Sequence, residues 1–266
     1  MPRVEHGWVS VFFHVIAASA LMFLLLPIAM MFPLSLEPGT MLRFPPQGVS
    51  LHWYSDYLKD GAWIASTILS FQVALGAALL ATVAGTFAAV GLAQASPFVR
   101  NAALLILMSP LFLPTVVAAV AIYGVYAALR LVGTPLGLVA AHAVLTIPFV
   151  LLNVQSALAG APRALDEAAM SLGAGPVAAF WQIKVPLIRR GIAAGAIFSF
   201  LISFDEVVIA KFLSGTQAVT LPKRMLDGIF YEMTPMLAAI SVLLVLMNAA
   251  LALLALALVR GARKDT

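Results

Sequence analysis

The fold is decided by residues 66–93, STILSFQVALGAALLATVAGTFAAVGLA, a run without a single charged side chain. A helix rises about 1.5 Å per residue, so about 20 residues cross the hydrocarbon core of a bilayer. The run is therefore long enough and apolar enough to cross a membrane as a helix. Small residues recur in it at every fourth position, at Ala77, Ala81, Gly85 and Ala89. Such a stripe lets a second helix approach closely, in the same chain or in another subunit.

Five further runs share this apolar character. The six predicted spans are residues 9–36, 66–93, 102–127, 136–158, 191–213 and 235–259. Of the 266 residues, 63% are hydrophobic and 10% are charged, against about 45–50% and about 25% in soluble domains. Together with the mean hydropathy of +1.05, these values exclude a water-soluble globule and a disordered chain. The sequence predicts an all-α polytopic membrane protein with six transmembrane helices in one domain, residues 1–266.

The distribution of charge predicts the orientation of the chain in the bilayer. Six spans place both termini on the same side. If that side is the cytoplasm, nine of the 15 Lys and Arg residues lie inside and six outside. The positive-inside rule therefore places both termini in the cytoplasm. The apolar run after residue 9 continues past a signal-like cleavage site at residues 18–20, so we expect it to remain as a span.

Details within and between the spans add three expectations. A second small-residue stripe contains Gly191, Gly195, Ser199 and Ser203. Pro110, Pro114 and Pro148 fall within predicted spans, which predicts kinked helices. The polar segment 37–62 becomes aromatic near its end, which favours a short helix at the headgroup level over a plain loop. Its aromatic residues are Trp53, Tyr54, Tyr57 and Trp63.

Several kinds of chemistry are excluded by the residues present. The chain has no cysteine, which excludes disulfides, Cys-ligated zinc and iron–sulfur clusters. It has no phosphate-binding G-x-x-x-x-G-K-[ST] motif. Its four histidines, His6, His14, His52 and His142, have no metal-ligand spacing, and we expect structural roles for His14 and His142. The basic residues form no cluster that would bind nucleic acid. We therefore predict no catalytic and no metal-binding residue, so that energy for any work comes from a partner or an ion gradient.

Residues 160–190 are too polar to span the membrane but carry two helical patterns. In the first, apolar residues recur with helical spacing at Leu165, Ala168, Ala169 and Leu172. Gly173 then stands at the position of a helix C-terminal glycine. A second short helix is predicted to begin at Pro176 and to end at Pro186. The two helices form either a knob that docks on another protein or a pair lying on the membrane surface.

This segment resembles the EAA loop of ATP-binding-cassette importer permeases, whose pattern is E-A-A-x3-G-x9-I-x-L-P. The matching residues are Glu167, Ala168, Ala169, Gly173, Ile183 and Pro186. Val185 replaces the leucine, and the resemblance extends over about residues 66–259.

The resemblance implies a type I (MetI-like) importer permease fold in a bacterial inner membrane. It implies that the loop couples the permease to two ATP-binding subunits, which hold ATP and Mg, while this subunit binds no cofactor and is not an enzyme. The elbow at Gly173 and the second helix from Pro176 would touch the ATPase, and Glu167 would help to hold the fold of the loop. The coupling residues implied by the resemblance also include Ala168, Ala169, Gly175, Ile183 and Pro186. A second permease chain and a periplasmic binding protein would complete the complex.

The fifth span carries two adjacent acids in the stretch Ser203-Phe204-Asp205-Glu206. An ionised carboxylate at that depth is costly unless it faces water, a cation or another polar group. Adjacent positions of a helix point about 100° apart, so the two acids would face different neighbours. We expect Asp205, with Ser203, in the solute pathway. Glu206 faces either the pathway or a structural partner such as Lys211.

The same stretch narrows the resemblance. Ser-Phe-Asp-Glu, followed by Phe-Leu-Ser-Gly at 212–215 and Thr-Leu-Pro at 220–222, is similar to the spermidine/putrescine-type permeases. The solutes of that group share a cationic amine: polyamines, γ-aminobutyrate, opines and aminophosphonates. By the same resemblance, the outer segment 214–234 would receive the binding protein, although a plain charged loop explains its composition equally well.

Two other functions remain open from the residues alone. A secondary transporter would use the ion gradient through Asp205, Glu206 and His142. It would be expected to show inverted repeats, and we find no internal repeat. A membrane scaffold without transport is disfavoured by the acids within the span.

Overall fold

The computed structural model describes residues 7–160, 171 and 173–260. Every regular element in these ranges is helical. In chain order the helices are α1 (Gly7–Leu34), α2 (His52–Lys59), α3 (Gly61–Gln94), α4 (Pro97–Phe112), α5 (Thr115–Ala128), α6 (Pro135–Ala159), α7 (Pro176–Ala179), α8 (Val185–Phe204), α9 (Val208–Leu213), α10 (Leu221–Tyr231) and α11 (Pro235–Arg260). A π-helical turn, Phe180–Lys184, joins α7 to α8.

Five helices are long and apolar enough to cross a membrane. They are Ser10–Leu34, Gly61–Gln94, Pro135–Ala159, Pro176–Phe204 and Pro235–Leu256. A sixth span is present if α4 and α5 are counted together as one bent span. The prediction of an all-α polytopic membrane protein is therefore confirmed, with two of the predicted spans interrupted.

The predicted span 102–127 is divided between α4 and α5, and the helix axis changes direction by 108° between them. The sequence predicts a kink, and the structure has a complete break. Leu113 is extended, with φ −84° and ψ 133°, and Pro114 is the residue immediately before α5. A proline has no backbone N–H and disfavours the helical conformation of the residue before it, which explains the position of the break. Pro110 and Pro148 remain within α4 and α6.

The predicted span 191–213 begins earlier and ends earlier in the structure. The helix starts at Pro176, continues through the π-helical turn and ends at Phe204. Pro186 therefore does not end it, contrary to our prediction. In the π-helical turn the Val185 N–H donates to Phe180 O, five residues back. A proline has no N–H to donate to the preceding turn. In the π-helical turn the regular α-helical hydrogen bonds are already absent, so the helix continues through Pro186.

The described residues form two units, one within 1–61 and 227–246 and the other within 62–226 and 247–266. In the larger unit, α6 packs closely against α3 and α8. A Cβ atom at Gly85 would lie 2.8 Å from Val150 Cβ, and one at Gly191 would lie 2.6 Å from Ala157 Cβ. These contacts are closer than real Cβ atoms allow. At these positions both small-residue stripes therefore serve packing within the chain.

The smaller unit contains a segment that is folded around Glu37, a side chain only 1% exposed. Its two carboxylate oxygens accept hydrogen bonds from the backbone N–H groups of Gly39 (3.0 Å) and Gln47 (2.9 Å). Trp53 Nε1 of α2 donates to Glu37 O at 2.9 Å. The predicted short aromatic helix is present as α2, and this indole serves to fasten the segment.

Candidate functional site

The candidate site lies where α8 stops, in the middle of the sequence motif that carries the two acids. Asp205 follows the last residue of α8, and its backbone N–H still donates to Leu201 O at 3.1 Å. The next helix, α9, begins at Val208. The two acids therefore lie in a break between helices. The rotation of about 100° between adjacent positions of a continuous helix does not determine where their side chains point.

The Asp205 side chain is exposed and faces an amide of α11. Asn248 Nδ2 lies 3.1 Å from one carboxylate oxygen and 3.4 Å from the other. The Oδ1 atom of Asn248 is buried and has no hydrogen-bond partner among the described residues. The site therefore presents an accessible carboxylate that is held by a neutral group.

Glu206 makes different contacts. Its Oε1 accepts hydrogen bonds from the backbone N–H groups of Val208 (2.7 Å) and Ile209 (2.9 Å). The first N–H groups of a helix have no partner within the helix, so a carboxylate at this point stabilises the start of α9. The structure thus gives Glu206 a use in the break itself.

Ser203 and His142 meet in the interior beside the break. His142 Nδ1 of α6 lies 2.9 Å from Ser203 Oγ and 3.1 Å from Ser203 O. His142 is 1% exposed and Ser203 is 4% exposed. His14, by contrast, lies exposed on α1, where its Nδ1 is 2.6 Å from Ser10 O of the same helix. Of the two histidines expected in spans, one is therefore bonded across two helices.

An aromatic cluster borders the break. The rings of Phe71 and Phe204 meet edge to face at 5.0 Å, and Phe200 lies 5.7 Å from Phe204 and 5.9 Å from Phe71. Phe71 and Phe200 also line an open apolar cleft of about 650 Å³ between α3, α8 and α11. The other residues lining the cleft are Leu75, Ala78, Leu79, Thr82, Ala196, Ile197, Met247 and Leu251.

Within the predicted coupling loop the chain turns at Gly173, whose φ of +87° is a conformation that L side chains rarely adopt, and Gly175 precedes α7 in an extended conformation. A turn therefore lies at the glycine where we predict the elbow, and the first of the two predicted helices lies outside the described residues. Glu167, Ala168 and Ala169 lie outside the described residues. After the elbow two apolar side chains are exposed, Val177 at 70% and Trp181 at 60%.

The loop is tied to the spans by a ring contact and by continuous helix. Phe180 stacks on Phe87 of α3, with ring centroids 5.5 Å apart and planes 15° apart. Ile183 is half-buried and Pro186 is exposed on the same helical stretch. The described end of the loop and the end of α8 belong to one helical stretch, Pro176–Phe204.

The segment after α9 is helical rather than a plain loop. In α10, Arg224 Nε donates to Ser66 Oγ at 2.7 Å, and its guanidinium lies 5.6 Å from the ring centre of Trp63. The N–H of Leu221 donates to Ser70 Oγ at 2.7 Å. These contacts fix the start of α10 against α3.

Sequence reasoning missed one residue of the site and underused another. Asn248 was not singled out, although a lone amide in the apolar run 235–259 is the kind of signal that the two acids gave. His142 was expected to be structural, and the sequence alone does not reveal its bond to Ser203. Among the described residues, no group of three His, Asp or Glu side chains could hold a metal ion.

Residues 81–264 match the family described as "Binding-protein-dependent transport system inner membrane component". The putrescine transport system permease protein of Escherichia coli (strain K12) is 32% identical over 204 residues, covering 74% of this chain and 73% of that protein. A spermidine/putrescine transport system permease protein of Haemophilus influenzae is 30% identical, covering 78% of this chain and 81% of that protein. A trehalose transport system permease protein of Mycobacterium tuberculosis is 27% identical, covering 74% of each chain.

Solved structures resemble the whole chain. A bacterial ABC transporter involved in the import of the acidic polysaccharide alginate has a chain that matches with a TM-score of 0.71, 12% identity and coverage of 98% of both chains. An amino acid ABC transporter matches with a TM-score of 0.59, 16% identity and coverage of 79% of this chain and 97% of the other. At identities this low, the two matches show that this chain and the two solved chains share a fold, and nothing further.

Proposed function

This chain belongs to the family of binding-protein-dependent transport system inner membrane components, and on that premise we propose that it carries a small cationic amine inward across the membrane. It is a multi-pass permease subunit of an ATP-binding-cassette importer and is not itself catalytic. This membership decides against the alternative of a secondary transporter driven by an ion gradient.

The observation that carries the choice of solute is the Asp205 carboxylate at the break after α8. It is exposed, and its partner among the described residues is the neutral amide of Asn248. A carboxylate in an apolar span is stabilised by a cation, and a passing ammonium group supplies one. The putrescine and spermidine/putrescine permeases among the relatives support the same class of solute. The solute class therefore comprises polyamines and amino-compounds such as γ-aminobutyrate, opines and aminophosphonates, with Ser203 and Glu206 near the pathway.

The coupling function falls to residues 160–190. The complex comprises two ATP-binding subunits, a second permease of different sequence and a periplasmic binding protein that delivers the solute. Both termini of the chain lie in the cytoplasm. The exposed Val177 and Trp181 after the Gly173 elbow suit a docking knob. Within the predicted coupling set, Glu167 supports the fold of the loop beside Ala168 and Ala169. Gly175 precedes the helix that meets the ATPase, and Ile183 and Pro186 belong to that helix.

Uptake by the reconstituted complex tests the solute class. Radiolabelled putrescine, spermidine, γ-aminobutyrate and 2-aminoethylphosphonate are presented with the cognate binding protein, and trehalose is the neutral comparison. We expect ATP-dependent uptake of at least one of the amines and none of trehalose. Uptake of trehalose without uptake of any amine would overturn the proposed solute class.

The substitution Gly173→Asp tests the coupling function. At φ +87° an aspartate is strained, and a charge would stand at the elbow. We expect uptake to be abolished while the permease remains in the membrane. Normal uptake with normal solute-stimulated ATP hydrolysis would contradict the coupling assignment.

A further inference from the structure

Ser203 occupies the last turn of α8, two residues before Asp205. The last four carbonyl groups of a helix have no partner within it. If α8 continued, Ser203 O would accept from the N–H of Val207, but the chain leaves the helix first. Within the break Ser203 O is approached by the N–H of Asp205, which it shares with Leu201 O, and by the N–H of Glu206 at the long distance of 3.4 Å, whereas His142 Nδ1 lies 3.1 Å away. The His142 contact comes from another helix, 61 residues away in sequence.

Both Ser203 contacts of the ring are favourable together when Nδ1 carries the proton. An unprotonated Nδ1 would direct its lone pair at the lone pairs of Ser203 O, 3.1 Å away, which is repulsive. A protonated Nδ1 donates to that carbonyl and to Ser203 Oγ at 2.9 Å. Nε2 then carries a lone pair, and this buried atom has no hydrogen-bond partner among the described residues.

The buried Nε2 lowers the stability of the fold, because it gives up its hydrogen bonds to water without gaining a partner. An apolar side chain at position 142 would fill the interior between α6 and α8 without this cost. The ring instead supplies one donor, aimed at the carbonyl where α8 stops. A buried polar atom without a partner in a folded protein calls for an explanation. Here the explanation is the hydrogen bond that the other ring nitrogen, Nδ1, donates to Ser203.

We propose that His142 is a positioning residue, which holds the end of α8 through Ser203 and thereby fixes where Asp205 stands in the break. Asp205 follows Ser203 by two residues, and Asn248 receives its carboxylate from the other side. Without the donor, Ser203 O is left with the shared Asp205 contact and the long Glu206 contact, and the helix end is free to shift or to continue. The carboxylate would then leave its place opposite Asn248.

The break can be observed directly, because the chain has no cysteine of its own. Phe198 on α8 and Phe212 on α9 are exposed and lie on either side of the break. Both are replaced by cysteine in the assembled complex, spin labels are attached, and the distance distribution is measured by double electron–electron resonance. This measurement requires no knowledge of the solute.

Two substitutions form a matched pair. The amide of His142→Asn lies near the position of Nδ1 and can donate to Ser203, whereas the amide of His142→Gln lies near the position of Nε2 and cannot. We expect one narrow distance distribution for the unsubstituted chain and for H142N, and a broader or shifted one for H142Q and for H142L. If H142L does not reach the membrane, the first pair still decides. Equal distributions for H142N and H142Q, or an unchanged one for H142L, would overturn the proposal.

A second experiment measures transport and rests on the proposed amine pathway. With putrescine as the probe, we expect H142Q to raise the KM about tenfold and to leave the maximal rate nearly unchanged. In a chain that already carries Asp205→Asn, H142Q should have little further effect, because it acts through that carboxylate. Additive effects would contradict the proposal. If the unsubstituted complex takes up no putrescine, the proposed solute fails, and the spin-label distances still test His142.

Discussion

The break between α4 and α5 and the break between α8 and α9 both interrupt an apolar span, but different features hold them. At the first, Pro114 follows an extended Leu113, and no side chain caps the helix that begins there. At the second, residues 205–207 contain neither proline nor glycine. Polar side chains hold that break: Glu206 at the start of α9, His142 at the end of α8 and Asn248 opposite Asp205.

The packing of the two breaks differs as well. α4 and α5 are each anchored in the core of the larger unit: Leu104 of α4 packs against the buried cluster that contains Val150 of α6, and Ala119 of α5 belongs to the buried cluster that contains Leu138 of α6. The first break is thus fixed by the backbone and by apolar packing. The second depends on a few hydrogen bonds, so single substitutions should change the second break and spare the first.

The largest expected effect follows from Glu206→Ala. The backbone N–H groups of Val208 and Ile209 lose the carboxylate oxygen to which they donate. This loss destabilises the start of α9 by about 1–2 kcal/mol. Amide hydrogen exchange at Val208 and Ile209 should accelerate about tenfold, and uptake should fall with it. Glu206→Gln keeps an acceptor oxygen and should keep most of the protection. Unchanged exchange in the alanine variant would show that the break does not depend on this cap.

A smaller effect is expected for Asn248→Leu. The Asp205 carboxylate loses the amide that holds it, and a hydrogen bond to a charged group contributes about 1.5–3 kcal/mol. The cost is reduced here because the carboxylate is exposed, so we expect a fall of about fivefold in amine uptake at low solute concentration. Asn248→Gln, which retains an amide, should fall less. Equal losses in the two variants would indicate a packing role for Asn248.

The smallest effect is expected for Pro114→Ala. This substitution restores a backbone N–H, but Leu104 and Ala119 keep the two helices in their places. Spin labels at Leu105 of α4 and Val125 of α5, both exposed, should report an unchanged distance, and uptake should stay within about twofold. An increased distance would mean that Pro114 alone holds the bend. The two breaks would then differ only in whether a proline is present.

Much of the fold could be predicted from the sequence because apolar length and small-residue spacing are local signals. The stripe through Gly85 and the bend at Pro114 depend on neighbouring residues in the chain, and both are present. The break after Phe204 was not predicted, because residues 191–213 contain no proline or glycine at that point to interrupt the helix. The side chains that hold it include His142, which is distant in sequence, and such pairings have no local signature.

The same reasoning explains the outcome at Pro186. A proline normally ends a helix, but the π-helical turn before it removes the conflict. Nothing in the letters of Phe180–Lys184 distinguishes such a turn from an ordinary one. In the candidate site, the two acids are predictable because a carboxylate is costly in an apolar span, whereas the roles of Asn248 and of the Ser203 partner depend on contacts between residues distant in sequence.

The most direct measurement of the central claim is the KM for putrescine uptake by the reconstituted complex with Asp205→Asn. The substitution removes the charge and keeps the shape, and Asp56→Asn, at an exposed acid outside the spans, is the matched control. A carboxylate that meets the ammonium group of the solute predicts a rise in KM of about tenfold or more for Asp205→Asn and no change for the control. An unchanged KM for Asp205→Asn would contradict the claim that this carboxylate lies in the path of the amine.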